Sequence, residues 1–327
     1  MIDNIDKYHV KETYLDDRWD NFVGLSSNGT AFVCSRYLNA LDLNIQPYYC
    51  YKKQELMGAL LCILSDDSQS VIGHEHVIYD GLIYRNLDYL NNSQRLSEEF
   101  KIQQCFAEFL NKNYSSINIS LHPSIQDVRP FLWVNYNKKG NKYISDIRYT
   151  SYISIEDFSK ASKLEDIETY NNASVARRQE IRYALKKQVK TKPTKEVEKF
   201  ISFYVKTMLR QNIQINNNSI NDMRKLLKVL IKEKMCLIVE SFNRQHIVGS
   251  MAVFLLDNKR AYYLFGANDP EMRNQHTGTS VLWDAFYILS ERGYLEVDLE
   301  GINSPYRGWY KLSFGGSCVP YYVMKFE

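Results

Sequence analysis

Residues 273–286 read RNQHTGTSVLWDAF. They stand between a strand-like run closing on Tyr263-Leu264-Phe265-Gly266-Ala267 and a helical pattern that ends at Glu291-Arg292-Gly293. Within them, Gln275-x-x-Gly278-x-Ser280 puts small residues where the chain turns from strand into helix. Backbone N–H groups at a helix N-terminus attract anions, and a glycine lets a ligand approach the chain closely. Gln275, Gly278, Thr279 and Ser280 are therefore candidate contacts to the phosphates of a donor molecule. Thr277 or Thr279 acting as an ordinary N-cap explains the same residues without a ligand.

Outward from this unit the pattern is mixed α/β. Strand-like runs fall at 45–51, 56–64 and 76–84, a helical pattern at 93–111, and further strand-like runs at 117–121 and 130–136. A second set begins with 147–153 and continues through three helical segments. It then runs through strands at 235–241, 247–256 and 261–266, the helix 279–292, and strands at 295–299 and 320–326. The helix over 197–210 is the clearest, with Val197, Phe200, Ile201, Tyr204, Val205 and Met208 on one stripe. With 327 residues the chain exceeds one comfortable core. The turn-rich NKKGNK predicts a boundary between domains 1–144 and 145–327.

Composition narrows the classes. Hydrophobic residues at 45% and charged residues at 24% are those of a globular protein, and a net charge of +3 is too small for a dedicated nucleic-acid binder. Cys34, Cys50, Cys62, Cys105, Cys236 and Cys318 fall singly, without finger spacing, and read as reduced core thiols. His74-Glu75-His76 offers two imidazoles without a third ligand, so no metal is expected. The opening MIDNIDKYHVKETYLDD lacks a basic and apolar leader, which predicts a cytoplasmic protein. The longest apolar stretch, LMGALLCIL at 56–64, is a buried strand rather than a membrane span, which needs about 20 residues.

The order of motifs resembles the FemABX family, tandem-GNAT acyltransferases that include the peptidoglycan aminoacyltransferases. The resemblance rests on Gly266-Ala267, Arg273-Asn274, Trp283, Gly293, Asp298, Gly301 and the ending Tyr310-Lys311-Leu312-Ser313-Phe314-Gly315. Upstream it includes Ala176 to Ala184, Thr207-Met208-Leu209-Arg210, Trp19-Asp20-Asn21-Phe22 and Gly29-Thr30-Ala31-Phe32. The 275–280 spacing nearly reproduces the GNAT pyrophosphate loop, with Ser280 in the last small position. No heptad insertion of about 40 residues is seen, so the likeness is to the small form without a coiled-coil arm.

This resemblance implies two GNAT-like domains and transfer of an acyl group to an amine of a cell-envelope precursor. The donor would be acyl-CoA or aminoacyl-tRNA, acting as a co-substrate with no permanently bound cofactor. Lys311 would stabilise the oxyanion, with Tyr263 lining the site, by alternation on the same face as Phe265. Asp298 is a candidate base for the amine, or a structural residue. Arg210 would grip phosphate of a small-molecule acceptor, with Arg36, Arg307, Trp309 and Tyr310 as further acceptor contacts. Arg177, Arg178, Arg182 and Lys186 crowd one helix and could meet tRNA or phosphate, or form a solvated face. No Cys or Ser sits in a nucleophile motif, so direct attack is expected. The alternative is a non-catalytic tandem-GNAT protein that binds a nucleotide sugar or RNA and does not need Lys311.

Overall fold

The structure is a computed structural model that describes residues 7–326. Residues 1–6, on which the expectation of no leader partly rests, and residue 327 lie outside the described residues. The chain divides into two compact units. One runs through Arg148 and takes back the segment from Pro320; the other is Tyr149–Val319. The division falls inside a strand rather than at the turn-rich NKKGNK, and the C-terminal segment belongs to the first unit.

In order, the first unit contains β1 (Tyr8–Glu12), α1 (Asp17–Leu25), α2 (Ser35–Leu38), β2 (Ile45–Lys52), β3 (Glu55–Ile63), β4 (Ser70–Val71) and β5 (Leu82–Tyr84). It continues through α3 (Asn92–Asn113), β6 (Ser116–Ser120), α4 (Arg129–Leu132) and the first part of β7 (Tyr143–Ser154). β1-β2-β3-β5 is an antiparallel sheet. The apolar run 56–64 is its central strand β3, buried from Met57 to Ile63. α3 starts from a capping box of Asn91 and Gln94 and lays Ile102, Phe106 and Leu110 into the core.

Two expected strands fail here. The run 76–84 keeps only Leu82–Tyr84 as strand, because His74 to Val77 closes a tight turn with the Val77 N–H on the His74 carbonyl at 3.0 Å. The run 130–136 begins as the helix α4, since Pro130 pre-sets a first helical turn and loses no hydrogen bond there.

The second unit takes the rest of β7, then α5 (Glu168–Asn172), α6 (Val175–Lys186), β8 (Lys190–Thr194), α7 (Val197–Arg210) and α8 (Asn217–Lys232). It goes on with β9 (Cys236–Phe242), β10 (Val248–Leu256), β11 (Ala261–Asn268), α9 (Thr277–Glu291), β12 (Glu296–Asp298), α10 (Pro305–Leu312) and β13 (Ser317–Phe326), whose end re-enters the first unit. Its strands lie in the order β7-β12-β11-β10-β9-β8, with only the β11–β12 pair parallel. α9 packs Val281, Leu282, Phe286 and Leu289 into a core shared with Phe254, Ile153 and Val297.

No helix among the described residues is long and apolar enough to cross a membrane. Of the cysteines, Cys50, Cys62 and Cys105 are buried free thiols, Cys34 and Cys236 are intermediate, and Cys318 is exposed rather than in the core.

Candidate active site

β11 and β12 run together for only two registered pairs, Ala261 with Val297 and Tyr262 with Asp298. Among the described residues β11 then continues without a strand partner on that side, leaving an open edge that ends at Asn268, whose N–H and C=O are taken by the Thr207 hydroxyl at 2.8 and 3.1 Å. On its other side β11 carries a bulge. Val253 faces Phe265 and Phe254 faces Tyr263, so Leu264 is the extra residue. Cross-strand partners share a face while neighbours alternate, so the bulge puts Tyr263 and Phe265 on opposite faces, contrary to the expected alternation. Phe265 packs on Phe200 and Tyr204 of α7, whereas Tyr263 packs on Phe254.

The chain leaves β12 through a left-handed turn, with Glu300 at φ 50° and Gly301 at φ 38°. That conformation costs a residue with a side chain about 1–3 kcal/mol, so the surroundings must hold Glu300 in place. Its N–H donates to Asp298 Oδ1 at 2.8 Å. Its side chain is buried, and Oε1 has no hydrogen-bond partner. α10 follows, begun by Pro305, and its last turn brings Lys311 back over the turn. Lys311 Nζ donates to the carbonyls of Leu299 at 2.5 Å and Glu300 at 3.0 Å, and lies 5.1 Å from the centre of the Tyr263 ring.

Burial pushes the Lys311 ammonium down to about 8; Glu300 and then Asp298 oppose the shift, and Arg307 adds to it. Burial lifts the Glu300 carboxyl well above the usual range; Asp298 adds to the rise and Lys311 resists it. Tyr263 is raised by burial and then by Tyr310, so its hydroxyl keeps its proton. Gly266 is needed beside it, because a Cβ there would lie 1.8 Å from the Tyr263 hydroxyl.

The first turn of α9 is the other wall. His276 enters it at φ 60°, and Thr279 and Ser280 donate their N–H groups to its carbonyl at 3.1 and 3.0 Å. The small residues are largely turned to protein partners. Thr277 bonds Ser250 at 2.9 Å, Thr279 donates to Glu180 at 2.6 Å, and Ser280 donates to Asp284 at 2.7 Å. A Cβ on Gly278 would meet the end of the Asn268 side chain, Oδ1, at 3.0 Å, a tight contact that Asn268 would have to yield to by a few tenths of an ångström.

Residues 175–308, which include β11, β12 and α9 but end before Lys311, match the family profile described as Acetyltransferase (GNAT) domain. The solved structure of FemX matches with a TM-score of 0.67 at 14% identity, over 96% of this chain and 96% of that one. The fold is that of the FemABX-like tandem-GNAT acyltransferases. A tandem GNAT protein from the clavulanic acid biosynthesis pathway matches at TM-score 0.52 and 10% identity, over 98% of each chain. L-PGS from Bacillus licheniformis matches at 0.56 and 9%, over 94% of this chain and 90% of that one. No curated protein is detectably similar in sequence.

Within this tandem-GNAT frame the expected site residues separate. Lys311, Tyr263 and Asp298 meet at the end of β12. Asp298, however, is fully buried and accepts from the Thr150 hydroxyl and the Glu300 N–H, so it fastens the turn rather than standing open as a base. Tyr310 is a fastener too: its hydroxyl donates to the Gly278 carbonyl at 2.6 Å. Arg177 is buried, so it does not belong to a face open to tRNA. Its guanidinium lies 4.6 and 4.3 Å from the Tyr310 and Phe314 rings and donates to Ser313 at 2.9 Å, and also to Glu180 and Thr279.

Arg178 is half-buried, while Arg182 and Lys186 are exposed on α6. Arg210 ends α7 in solvent, and Arg307 reaches the adjoining Gln211 at 3.4 Å. Trp309 is exposed on α10. Arg36 is exposed on α2 of the first unit. Gln275 ends the short 3₁₀ turn before α9. The sequence reading missed Glu300; the only signal was an acid between a strand end and Gly301. Among the described residues no cluster of three or more His, Cys, Asp or Glu could hold a metal ion.

Proposed function

We propose that the chain is an N-acyltransferase that forms an amide on the amino group of a phosphorylated small-molecule acceptor of cell-envelope synthesis, such as an amino-sugar nucleotide or a muropeptide. The observation that carries this reading is Lys311, a largely desolvated ammonium held by two carbonyls beside the open edge of β11. The amine attacks the acyl carbonyl directly. The C–N bond forms, the C–S bond of a thioester breaks, and the proton lost by the amine ends on the thiol. Lys311 stabilises the oxyanion, and loss of one such donor typically lowers kcat by about 10²–10³-fold.

Acyl-CoA is the first donor we propose, as a co-substrate rather than a resident cofactor. The unpaired edge of β11 suits an extended arm carrying amides, which can add to a sheet as a strand does. The GNAT match over 175–308 supports the same donor. Arg210 and Arg307, at neighbouring ends of α7 and α10, suit acceptor phosphate. An aminoacyl-tRNA donor is the second reading, favoured by exposed Arg182 and Lys186. Two GNAT-like domains meeting near residue 145 and a cytoplasmic location belong to the same proposal.

The test is transfer from acetyl-CoA, other acyl-CoAs and charged tRNAs to a panel of amino-sugar nucleotides and muropeptides, by wild type and Lys311→Met. Amide product from wild type and little from a folded Lys311→Met are expected. No product from any pairing sinks the proposal. Undiminished biological function of Lys311→Met favours a binding protein.

A further inference from the structure

Arg177, on α6, is 7% exposed and grips the last turn of α10, the turn that carries Lys311. Its guanidinium lies 4.6 Å from the centre of the Tyr310 ring and 4.3 Å from that of Phe314. Nε donates to the Ser313 hydroxyl at 2.9 Å, and that hydroxyl donates to the Tyr310 carbonyl at 2.6 Å. Nη1 donates to the Thr279 hydroxyl in the first turn of α9 and pairs with Glu180 on α6. The Thr279 hydroxyl donates to the same Glu180 oxygen at 2.6 Å, which closes a triangle of bonds.

One planar group thus reaches α10 through Nε and α9 through Nη1. Its donors are fixed relative to one another, so the fork also fixes the two helices relative to one another. The start of α6 is tied to the same turn of α10. Ser174 accepts the Arg177 N–H on its hydroxyl at 3.2 Å and donates its own N–H to the Ser313 carbonyl at 3.0 Å. Stability alone does not ask for an ion here, because apolar side chains of similar volume commonly replace a buried ion pair without loss. A lysine would supply the charge, but a point charge on a flexible stem cannot hold two helices in one geometry. What the guanidinium adds is placement.

We propose that Arg177 is a positioning residue for acyl transfer: it sets the last turn of α10 against the first turn of α9 and thereby places the Lys311 ammonium. This rests on the acyltransferase reading for its kinetic consequence, whereas the coupling from Arg177 to Lys311 stands without it. Lys311 lies in the chain between Tyr310 and Ser313, both touched by Arg177, and its Nζ reaches the Leu299 and Glu300 carbonyls and the face of Tyr263. A turn that shifts carries the ammonium off those partners. Misplacement by about 1 Å can cost about 10²-fold in rate.

The experiment compares the full chain with Arg177→Met, which keeps the length of the side chain and removes its donors. Lysine Cε is labelled with ¹³C and read by NMR, the Lys311 signal being assigned in each background by its absence when Lys311→Met is added. In Arg177→Met the Lys311 signal should move, because the side chain leaves its place over the Tyr263 ring. The signal of Lys325, which pairs with Asp146 in the first unit, should stay. With active substrates, kcat should fall by about 10-fold or more while KM changes less. Guanidinium ion at a non-denaturing concentration should restore part of the lost kcat in Arg177→Ala and none in Lys311→Met. If Arg177→Met does not fold, Ser313→Ala, which removes the acceptor of Nε on α10, carries the same comparison. An unmoved Lys311 signal in the folded Met variant, or in Ser313→Ala where Met is unfolded, overturns the proposal, as does an undiminished kcat in an otherwise active enzyme. A wild type that transfers nothing refutes the acyltransferase reading and leaves the signal comparison intact.

Discussion

The Tyr310 hydroxyl donates a 2.6 Å hydrogen bond to the Gly278 carbonyl and thereby fastens α10 to the first turn of α9. One end of that bond lies beside Lys311 and the other in the loop whose spacing suggests phosphate binding. The two candidate parts of the site are joined by one side chain.

Tyr310→Phe keeps the ring against Arg177 and Phe314 and removes only the fastening. Folding stability should fall by about 1 kcal/mol in urea denaturation. With the proposed substrates, kcat should fall more than KM rises, because Lys311 loses aim rather than the protein losing its ligands.

Lys311 makes stability depend on pH in a defined direction. Its folded value of about 8 lies below the unfolded 10.5, so between these values the unfolded chain binds more protons. Its contribution to stability therefore rises as pH goes from about 8 to about 10.5. Lys311→Met should abolish this contribution, seen as a flatter melting temperature against pH than wild type over that window.

Asp80, in the first unit, behaves oppositely. Burial lifts its carboxyl to about 8, against hydrogen bonds from the Ser120 N–H and its own backbone. The folded state then holds more protons than the unfolded state between the ordinary carboxylate range and 8, so stability falls as pH rises through that interval. Asp80→Asn keeps an acceptor for Ser120 and should melt higher than wild type at pH 9, with the advantage shrinking toward pH 5.

Gly278→Val should cost stability whatever the donor, about 1–3 kcal/mol, because Asn268 Oδ1 already stands 3.0 Å from the place of its Cβ. Acetyl-CoA should raise the wild-type melting temperature, adding about 2.7 kcal/mol at 100 times its dissociation constant. No shift with any acyl-CoA would transfer the proposal to aminoacyl-tRNA.

For that second donor, Arg182→Glu with Lys186→Glu should weaken tRNA binding and flatten its salt dependence by about one slope unit per lost phosphate contact. Arg177→Ala should instead destabilise the fold, since its guanidinium is stacked and bonded inside the protein. Equal melting temperatures for wild type and Arg177→Ala would contradict the buried role.

Periodicity along the chain identified α3, α7, α8, α9 and the strands β2, β3, β9, β10 and β11, because each buries one stripe or one face and must repeat apolar residues at its own period. The order of weak motifs identified the tandem-GNAT class and named Lys311 and Tyr263 as candidate site residues; only the structure puts the Lys311 ammonium 5.1 Å from the Tyr263 ring. What the sequence could not carry were the features set by contacts between distant residues. The bulge at Leu264 reverses the face of Phe265, and its cause lies in the pairing with β10. Arg177 looks like its basic neighbours in sequence and is withdrawn by Tyr310, Phe314 and Thr279, more than a hundred residues away. Glu300 becomes a buried, unpaired acid only when α10 folds Lys311 back over the turn. Local pattern determines which segments are helix or strand. Burial and charge at a given residue depend on what the tertiary structure places against it.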